Sequence, residues 1–383
     1  MVALSGHLVV TFGSRIHPIF RFCPARLIFS LSSFSATRMK GIVLAPLLLM
    51  AAAGTVSAQQ QPQFTHYGFN GMYLNPAYAG IKGQTEVTLL GRYQYLNLNN
   101  TQGDANGSPR TGMISASVPI QAISAGIGAV VYYDQIAESK VTNAALSYSQ
   151  HINLGRGRLG IGIQGTFTYL SKGTYKYLDA YDPYVPANGS DHKFDAGAGL
   201  WYESPKFYAG ISANNLFRSV YTLQSARYER DPTTGLPVLR GYQNTSRSLG
   251  ENHAYFTAGY NIEASSSVTI TPTVLVKAVL PGSYDAVSKY DNESNYSYEG
   301  GIRATFNDQF WAGLNYRHQE SFAGLLGYGF GPDNRYRIGY AFDFVAFNQA
   351  ARAFSSHEIM LSLRMPKVGP ISRPAIRTPR YSF

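Results

Sequence analysis

The chain has 383 residues, with 32 Lys+Arg against 22 Asp+Glu, one Cys, 29 Tyr, 21 Phe and 38 Gly, and only 14% of its residues are charged. Soluble domains average roughly 25% charged, so little charge is available to cover a water-facing surface, and the length allows one large all-β barrel as readily as two or three ordinary domains. Beyond the leader no apolar run approaches the roughly 18 residues a membrane-spanning helix needs. The net charge of +10 shrinks once residues 1–58 are set aside, because Arg15, Arg21, Arg26, Arg38 and Lys40 lie there without an acid, leaving 27 bases against 22 acids. That balance, with no basic helix or stripe, excludes a nucleic-acid binder. Cys23 lies in the same leader, so the remaining chain has neither a disulfide nor a thiolate metal site.

In chain order, residues 1–38 fit neither a signal nor a domain, and Met39 is the expected initiator of translation, with the first 38 residues as upstream sequence. Met39-Lys40, an apolar core from about Ile42 to Ala53 and the small-x-small ending Val56-Ser57-Ala58 predict a signal peptide over 39–58, cleaved after Ala58. Residues 59–83 form an N-terminal segment too aromatic for a free linker, carrying Phe64, Tyr67, Phe69, Met72, Tyr73 and Tyr78. Asn75-Pro76 is a turn-forming pair, and Gly68, Gly71 and Gly80 permit close backbone approach. The segment is expected to fold into or against the periplasmic mouth of a barrel, as a plug or as a docking surface built from Phe64, Tyr67, Phe69, Tyr73, Asn75, Pro76 and Tyr78. The plainer reading is that it packs on the first strand and binds nothing else.

From residue 84 to 365 the hydrophobic period is two. Leu159, Ile161, Ile163, Phe167 and Tyr169 alternate with Gly160, Gly162, Gln164, Thr166 and Thr168, and similar alternation runs through Val268–Lys277 and Arg337–Phe344. A soluble sandwich alternates too, but many of these segments are about ten residues long, the reach of a tilted strand across a bilayer. Fourteen strands are predicted, at 84–96, 111–120, 123–134, 139–151, 157–171, 193–203, 206–213, 251–262, 267–280, 295–304, 308–318, 320–330, 334–345 and 356–365. An even number closes an antiparallel transmembrane β-barrel, which leaves no strand edge unpaired in lipid. Short connections at 135–138, 153–156 and 204–205 suit periplasmic turns, and long ones at 97–110, 174–192, 214–250 and 281–295 suit outer loops. Tyr132, Tyr133, Tyr148, Tyr169, Tyr202, Tyr208, Tyr255, Tyr260, Trp311, Tyr316, Tyr328 and Tyr340 sit near strand ends and are expected in interfacial girdles.

Lys277, Arg303, Arg317, Asp343, Glu358 and Arg364 fall on the polar faces of their strands and are the candidate lumen charges, expected in a hydrated, charge-paired interior. No nucleophile motif, phosphate loop or metal spacing is present, and the Gly160-Ile161-Gly162 string lies within a strand as small packing positions. His318, Ser321 and Asp343 could be drawn as a lipase-like set, but ordinary polar positions account for them better. Asp182, Asn188, Asp191 and Asp195 lack the spacing of a calcium loop and read as a solvated loop. No cofactor is expected. The tail at 366–383 carries Lys367, Arg373, Arg377 and Arg380 among four prolines, and is expected to be extended.

Three stretches carry a family resemblance: QPQFTHYGFNGMYLNPAYAG at 61–80, GISANNLF at 210–217, and LNYRHQESFAGLLGYGFGPDNRYRIGYAFDF at 314–344 followed by SHEIMLSL at 356–363. Together they resemble the PorP/SprF outer-membrane proteins of the type IX secretion system of Bacteroidetes. The resemblance implies a non-enzymatic barrel in outer-membrane lipid, working with components of that system. It also implies a part in the secretion or surface attachment of large clients, gliding adhesins among them, that bear a C-terminal secretion domain. The residues before Met39 depart from the family pattern. An outer-membrane channel for small solutes is the alternative that the polar strand faces leave open.

Overall fold

A computed structural model describes residues 61–96, 107–173, 189–280, 295–346 and 355–366. The expected upstream extension and signal peptide, and the tail from residue 367, lie outside the described residues.

Seventeen strands are present among the described residues: β1 (Glu86–Tyr93), β2 (Arg110–Ile120), β3 (Ala125–Ile136), β4 (Ser139–Leu154), β5 (Gly157–Lys172), β6 (Gly189–Glu203), β7 (Phe207–Asn214), β8 (Val220–Arg230), β9 (Pro237–Leu249), β10 (Asn252–Tyr260), β11 (Ile262–Ser265), β12 (Val268–Leu280), β13 (Asn295–Phe306), β14 (Phe310–Arg317), β15 (Ser321–Phe330), β16 (Tyr336–Val345) and β17 (Ser355–Arg364). All of them pair antiparallel, and with sequence neighbours except at three places, one of them β10–β12, which skips β11. β10 passes over the β8–β9 hairpin to pair with β7, and β1 pairs with β17 in register from Glu86↔Arg364 to Tyr93↔His357. With β10–β12 also paired, β1–β7, β10 and β12–β17 form a closed ring of fourteen strands, as the alternation predicts. Closure satisfies every backbone edge without water, which a bilayer requires.

The ring has a turn end and a loop end. Connections at 121–124, 155–156, 204–206 and 307–309 gather at the turn end, where β1 begins and β17 finishes. Of the described connections, the whole β8–β9 hairpin lies at the other, and so does the 137–138 turn, which the sequence suggested for the periplasmic side. Strict alternation divides the side chains: β15 reads buried and exposed by turns along all ten residues. Its outward set, Phe322, Leu326, Tyr328 and Phe330, joins Ile163, Leu146 and Leu314 (62%, 73% and 68% exposed) on an aliphatic belt. Aromatic rings border the belt, with Phe207, Tyr260, Phe306, Phe310, Phe330 and Tyr336 toward the turn end and Tyr133, Tyr169, Phe322 and Phe344 toward the loop end. Large apolar side chains exposed around a whole circumference mark a lipid-facing surface.

Two further sequence expectations are corrected. Tyr132, Tyr208, Tyr255 and Trp311 are not girdle residues: all four lie on the lumen side, Tyr208 stacked on the buried Trp201. Alternation puts their strand neighbours on the lipid face instead, Tyr133 and Phe256 among them. The span 214–250, read as a featureless loop, contains β8 and β9, which pair from Val220↔Leu249 to Arg230↔Pro237. Two register shifts along the hairpin blur its period-two signal.

Candidate functional site

The core of this molecule is its own N-terminal segment, seated inside the ring. Residues 61–85 run as short helical turns (Tyr67–Phe69, Gly71–Leu74 and Pro76–Tyr78) from the loop half of the lumen to the start of β1 at the turn end. At one extreme, Lys277 Nζ donates to Gln61 O at 3.0 Å, and the Tyr255 hydroxyl donates to Gln61 Oε1. At the other, Gly80 N donates to Ser117 Oγ at 2.8 Å, and Lys82 pairs with Glu203 at 2.6 Å.

Small wall residues make room for the segment. A Cβ on Gly162 would overlap Ala77 N, and one on Gly126 would overlap Ala79 O. Gly162 belongs to the Gly160-Ile161-Gly162 string that the sequence presents as small packing positions. Gly80 takes φ +69° where it crosses Gly126 Cα, a conformation and an approach that only glycine accepts. Asn75 is the hinge of the seating. Its Oδ1 accepts from Ala77 N at 2.9 Å, while Nδ2 donates to Leu200 O and Ile211 O, at 2.9 and 3.0 Å, on two adjacent wall strands.

Aromatic packing fills the remaining volume. Phe64 meets Tyr73 edge-on at 5.1 Å, Tyr73 meets Tyr132 at 5.9 Å, Tyr78 meets Trp201 edge-on at 5.1 Å, and Phe69 lies 5.0 Å from Trp311. Burial pushes the phenols of Tyr67, Tyr73 and Tyr78 well above their ordinary range, so each serves as a neutral hydroxyl. Thus all seven docking candidates, Phe64, Tyr67, Phe69, Tyr73, Asn75, Pro76 and Tyr78, contact one another or the wall, Phe69 through Trp311. A cavity of about 20 Å³ between Pro62, Tyr73, Tyr255 and Lys277, room for about one water, is left beside the segment.

An ionic network joins the segment to the seam where the ring closes. Glu358 on β17 accepts the backbone N–H groups of Thr65 and His66 at 2.8 and 2.9 Å, and its Oε1 lies 2.8 Å from His66 Nδ1. Directly across the seam, Arg92 on β1 bonds Glu358 at 3.1 Å and Asp343 at 2.6 Å. Thr65 Oγ1 donates to Asp343 Oδ1 at 2.7 Å. The network continues through Arg317, which lies 3.8 Å from Asp343, 2.9 Å from Glu299 and 3.1 Å from Glu320. Asn315 closes it by donating to Glu299 and to Thr65 O, at 2.9 and 3.2 Å. Buried charges need such partners; deleting one member of a buried pair costs roughly 3–5 kcal/mol.

Of the candidate lumen charges, Arg317, Asp343 and Glu358 are therefore brought together. Lys277 stands apart on Gln61, Arg364 pairs with Glu86 at 3.0 Å near the turn end, and Arg303 lies over the Phe69 ring at 4.3 Å. Sequence reasoning missed Thr65, His66, Arg92, Glu299, Asn315 and Glu320. Arg92 and Glu299 carried a usable signal, a charge at a lumen-parity position of a predicted strand; Thr65 and His66 carried none. No hydrogen bond links His318, Ser321 and Asp343 among the described residues, and Asp343 is occupied by Arg92 and Thr65. Asp191 and Asp195 anchor the hairpin region, accepting Thr222 N and Phe217 N at 2.8 Å each. Asp182 and Asn188 lie outside the described residues.

Comparison with known proteins bears on this arrangement. None of the curated proteins matches the chain. Solved structures of similar architecture include the toluene transporter TbuX of Ralstonia pickettii, at 13% identity and TM-score 0.46, over 77% of this chain and 92% of that one. The toluene transporter TodX of Pseudomonas putida is similar at 10% identity and TM-score 0.44, over 76% and 91%. A FadL homologue of Pseudomonas aeruginosa is similar at 13% identity and TM-score 0.40, over 81% and 95%. The family described as type IX secretion system membrane protein PorP/SprF matches residues 56–363. The chain belongs to that family: it is an outer-membrane β-barrel of the type IX secretion system, in a family that is not enzymatic.

Proposed function

We propose that this barrel supports the secretion or surface attachment of large client proteins, gliding adhesins among them, and acts through its two ends rather than through a conducting pore. The observation that carries the reading is the seated N-terminal segment, which occupies the lumen from Gln61 to Gly80 and is fastened to the closing seam by Glu358. Such a barrel has surfaces to offer other components, but its interior is committed to its own chain. In this reading the turn end faces the periplasm, where the segment joins β1 and where secretion components meet the barrel. The loop end faces outward and carries the β8–β9 hairpin, with Leu236, Leu239 and Tyr242 exposed near its tip. Clients with a C-terminal secretion domain are the proposed cargo. The docking candidates of the N-terminal segment serve this role indirectly, by holding the turn-end rim in one shape.

The test is a deletion strain, with secreted and surface-attached proteins quantified by mass spectrometry. Loss of one or more clients, restored by the full chain, supports the proposal. Normal secretion and display of every client would overturn it.

A further inference from the structure

Away from the acidic network, the acids of the turn-side half of the lumen, Glu86 and Glu203, are taken up by Arg364 and Lys82, and two arginines there have no acid of their own among the described residues. Arg303 on β13 stacks on Phe69 at 4.3 Å, and Arg337 on β16 lies 5.8 Å from the Trp311 ring. Because Phe69 and Trp311 are themselves 5.0 Å apart, the four side chains form one cluster, with an arginine at each end and two rings between. Neither arginine makes an ion pair or a side-chain hydrogen bond among the described residues. The Nε–H of Arg303, the Nε–H of Arg337 and the indole N–H of Trp311 are all buried without an acceptor. Arg337 is repelled by Arg364 and by Arg303, and the acid that acts on it, Glu86, is already engaged by Arg364, Gln84 and Tyr78. Glu299, on the same strand as Arg303, is committed to Arg317.

Buried donors are normally satisfied, and each one left over costs about 1–3 kcal/mol. Three donors of one kind, two of them cationic, around one aromatic pair call for an acceptor that is itself negative. Guanidinium groups match carboxylate and phosphate oxygens in geometry as well as charge. The wall beside them carries no side chain of its own where Gly327 and Gly339 pair across β15 and β16; Trp311 lies against the first and His66 against the second. We infer that Arg303, Arg337 and Trp311 form an oxyanion-binding site between the N-terminal segment and the turn-side wall, taking a phosphate or a carboxylate group. The two sources share one chemistry: a free inorganic anion, or a carboxylate presented by a partner entering from the turn end.

The chain has two tryptophans, Trp201 and Trp311, so a W201F background makes emission report on the site alone. Purified full-length barrel in detergent is titrated with inorganic phosphate and, separately, with acetate, each against sodium chloride at equal ionic strength. A saturable change in Trp311 emission is expected with at least one of them, and the R303Q and R337Q variants should weaken it about tenfold or more. Response to phosphate alone points to the free anion, and response to acetate alone points to a carboxylate. The R303K and R337K variants, which keep the charge, should retain part of the response, and heat-modifiable migration on gels checks that every variant is folded. If neither anion acts beyond chloride, or if folded glutamine variants titrate like the parent, the site does not exist; should the glutamine variants fail to fold, the parent titration against chloride decides.

Discussion

The backbone N–H of Thr65 donates to the Glu358 carboxylate at 2.8 Å, joining residues 293 apart in sequence. One belongs to the segment inside the ring and the other to its last strand. The same carboxylate is held by Arg92, its register partner on β1. The seam of the barrel and the seat of the segment are thus one structure, and ring closure completes the pocket that Thr65 and His66 enter.

Loss of the Glu358 charge should therefore loosen both. In E358Q, Arg92 keeps Asp343 as its charged partner and Thr65 Oγ1 as a neutral acceptor, and the two N–H donors lose their charged acceptor. About 3–5 kcal/mol of stability is at stake, read as a lower denaturant midpoint for the folded, heat-modifiable form. An unchanged midpoint would mean that the network is not structural.

Deleting residues 61–80 should open the lumen. The parent is expected to show no steady conductance in planar bilayers, and the truncated barrel should conduct. A parent that conducts steadily would favour the solute-channel alternative.

The glycine wall offers a finer version of that experiment. Gly162 sits against Ala77 so closely that a side chain cannot fit. G162V should leave the strands paired but prevent full seating, which limited proteolysis would detect as new cleavage within 61–80. Protection equal to the parent would show that the segment does not depend on this approach.

The fourteen strands were legible because lipid and lumen impose opposite demands on successive residues, as in Ser321–Phe330, where the period never slips. The hairpin at 220–249 was not legible, since it lies outside the belt and its register shifts break the alternation. Asn75-Pro76 announced a turn, but nothing local says that Asn75 Nδ2 reaches Leu200 O, 125 residues away. Glu358 and Asp343 could be assigned to the lumen from their strand parity. Their partners Thr65 and His66 could not, because contacts between a segment and a closed ring depend on how the ring closes.

Asp195 should matter for the hairpin and little for the ring. Its carboxylate accepts Phe217 N at 2.8 Å and Ser219 N at 3.4 Å, just before β8. D195A should raise hydrogen exchange through 217–249 and leave β1–β7 protected; equal protection in the hairpin would remove Asp195 as its anchor.

The most direct test of a barrel filled by its own N-terminus is a distance measured in the native membrane. Ser115 Oγ on β2 donates to Asn70 Oδ1 at 2.9 Å, and the sequence has no cysteine other than Cys23 in the leader. An N70C/S115C protein, treated in intact outer membranes with a short bis-maleimide, should form an internal cross-link joining the peptides that contain the two positions. Each single-cysteine control should react poorly with a bulky water-soluble maleimide. Ready labelling of residue 70 by the bulky reagent, with no cross-link in the double variant, would place the segment outside the lumen and contradict the account.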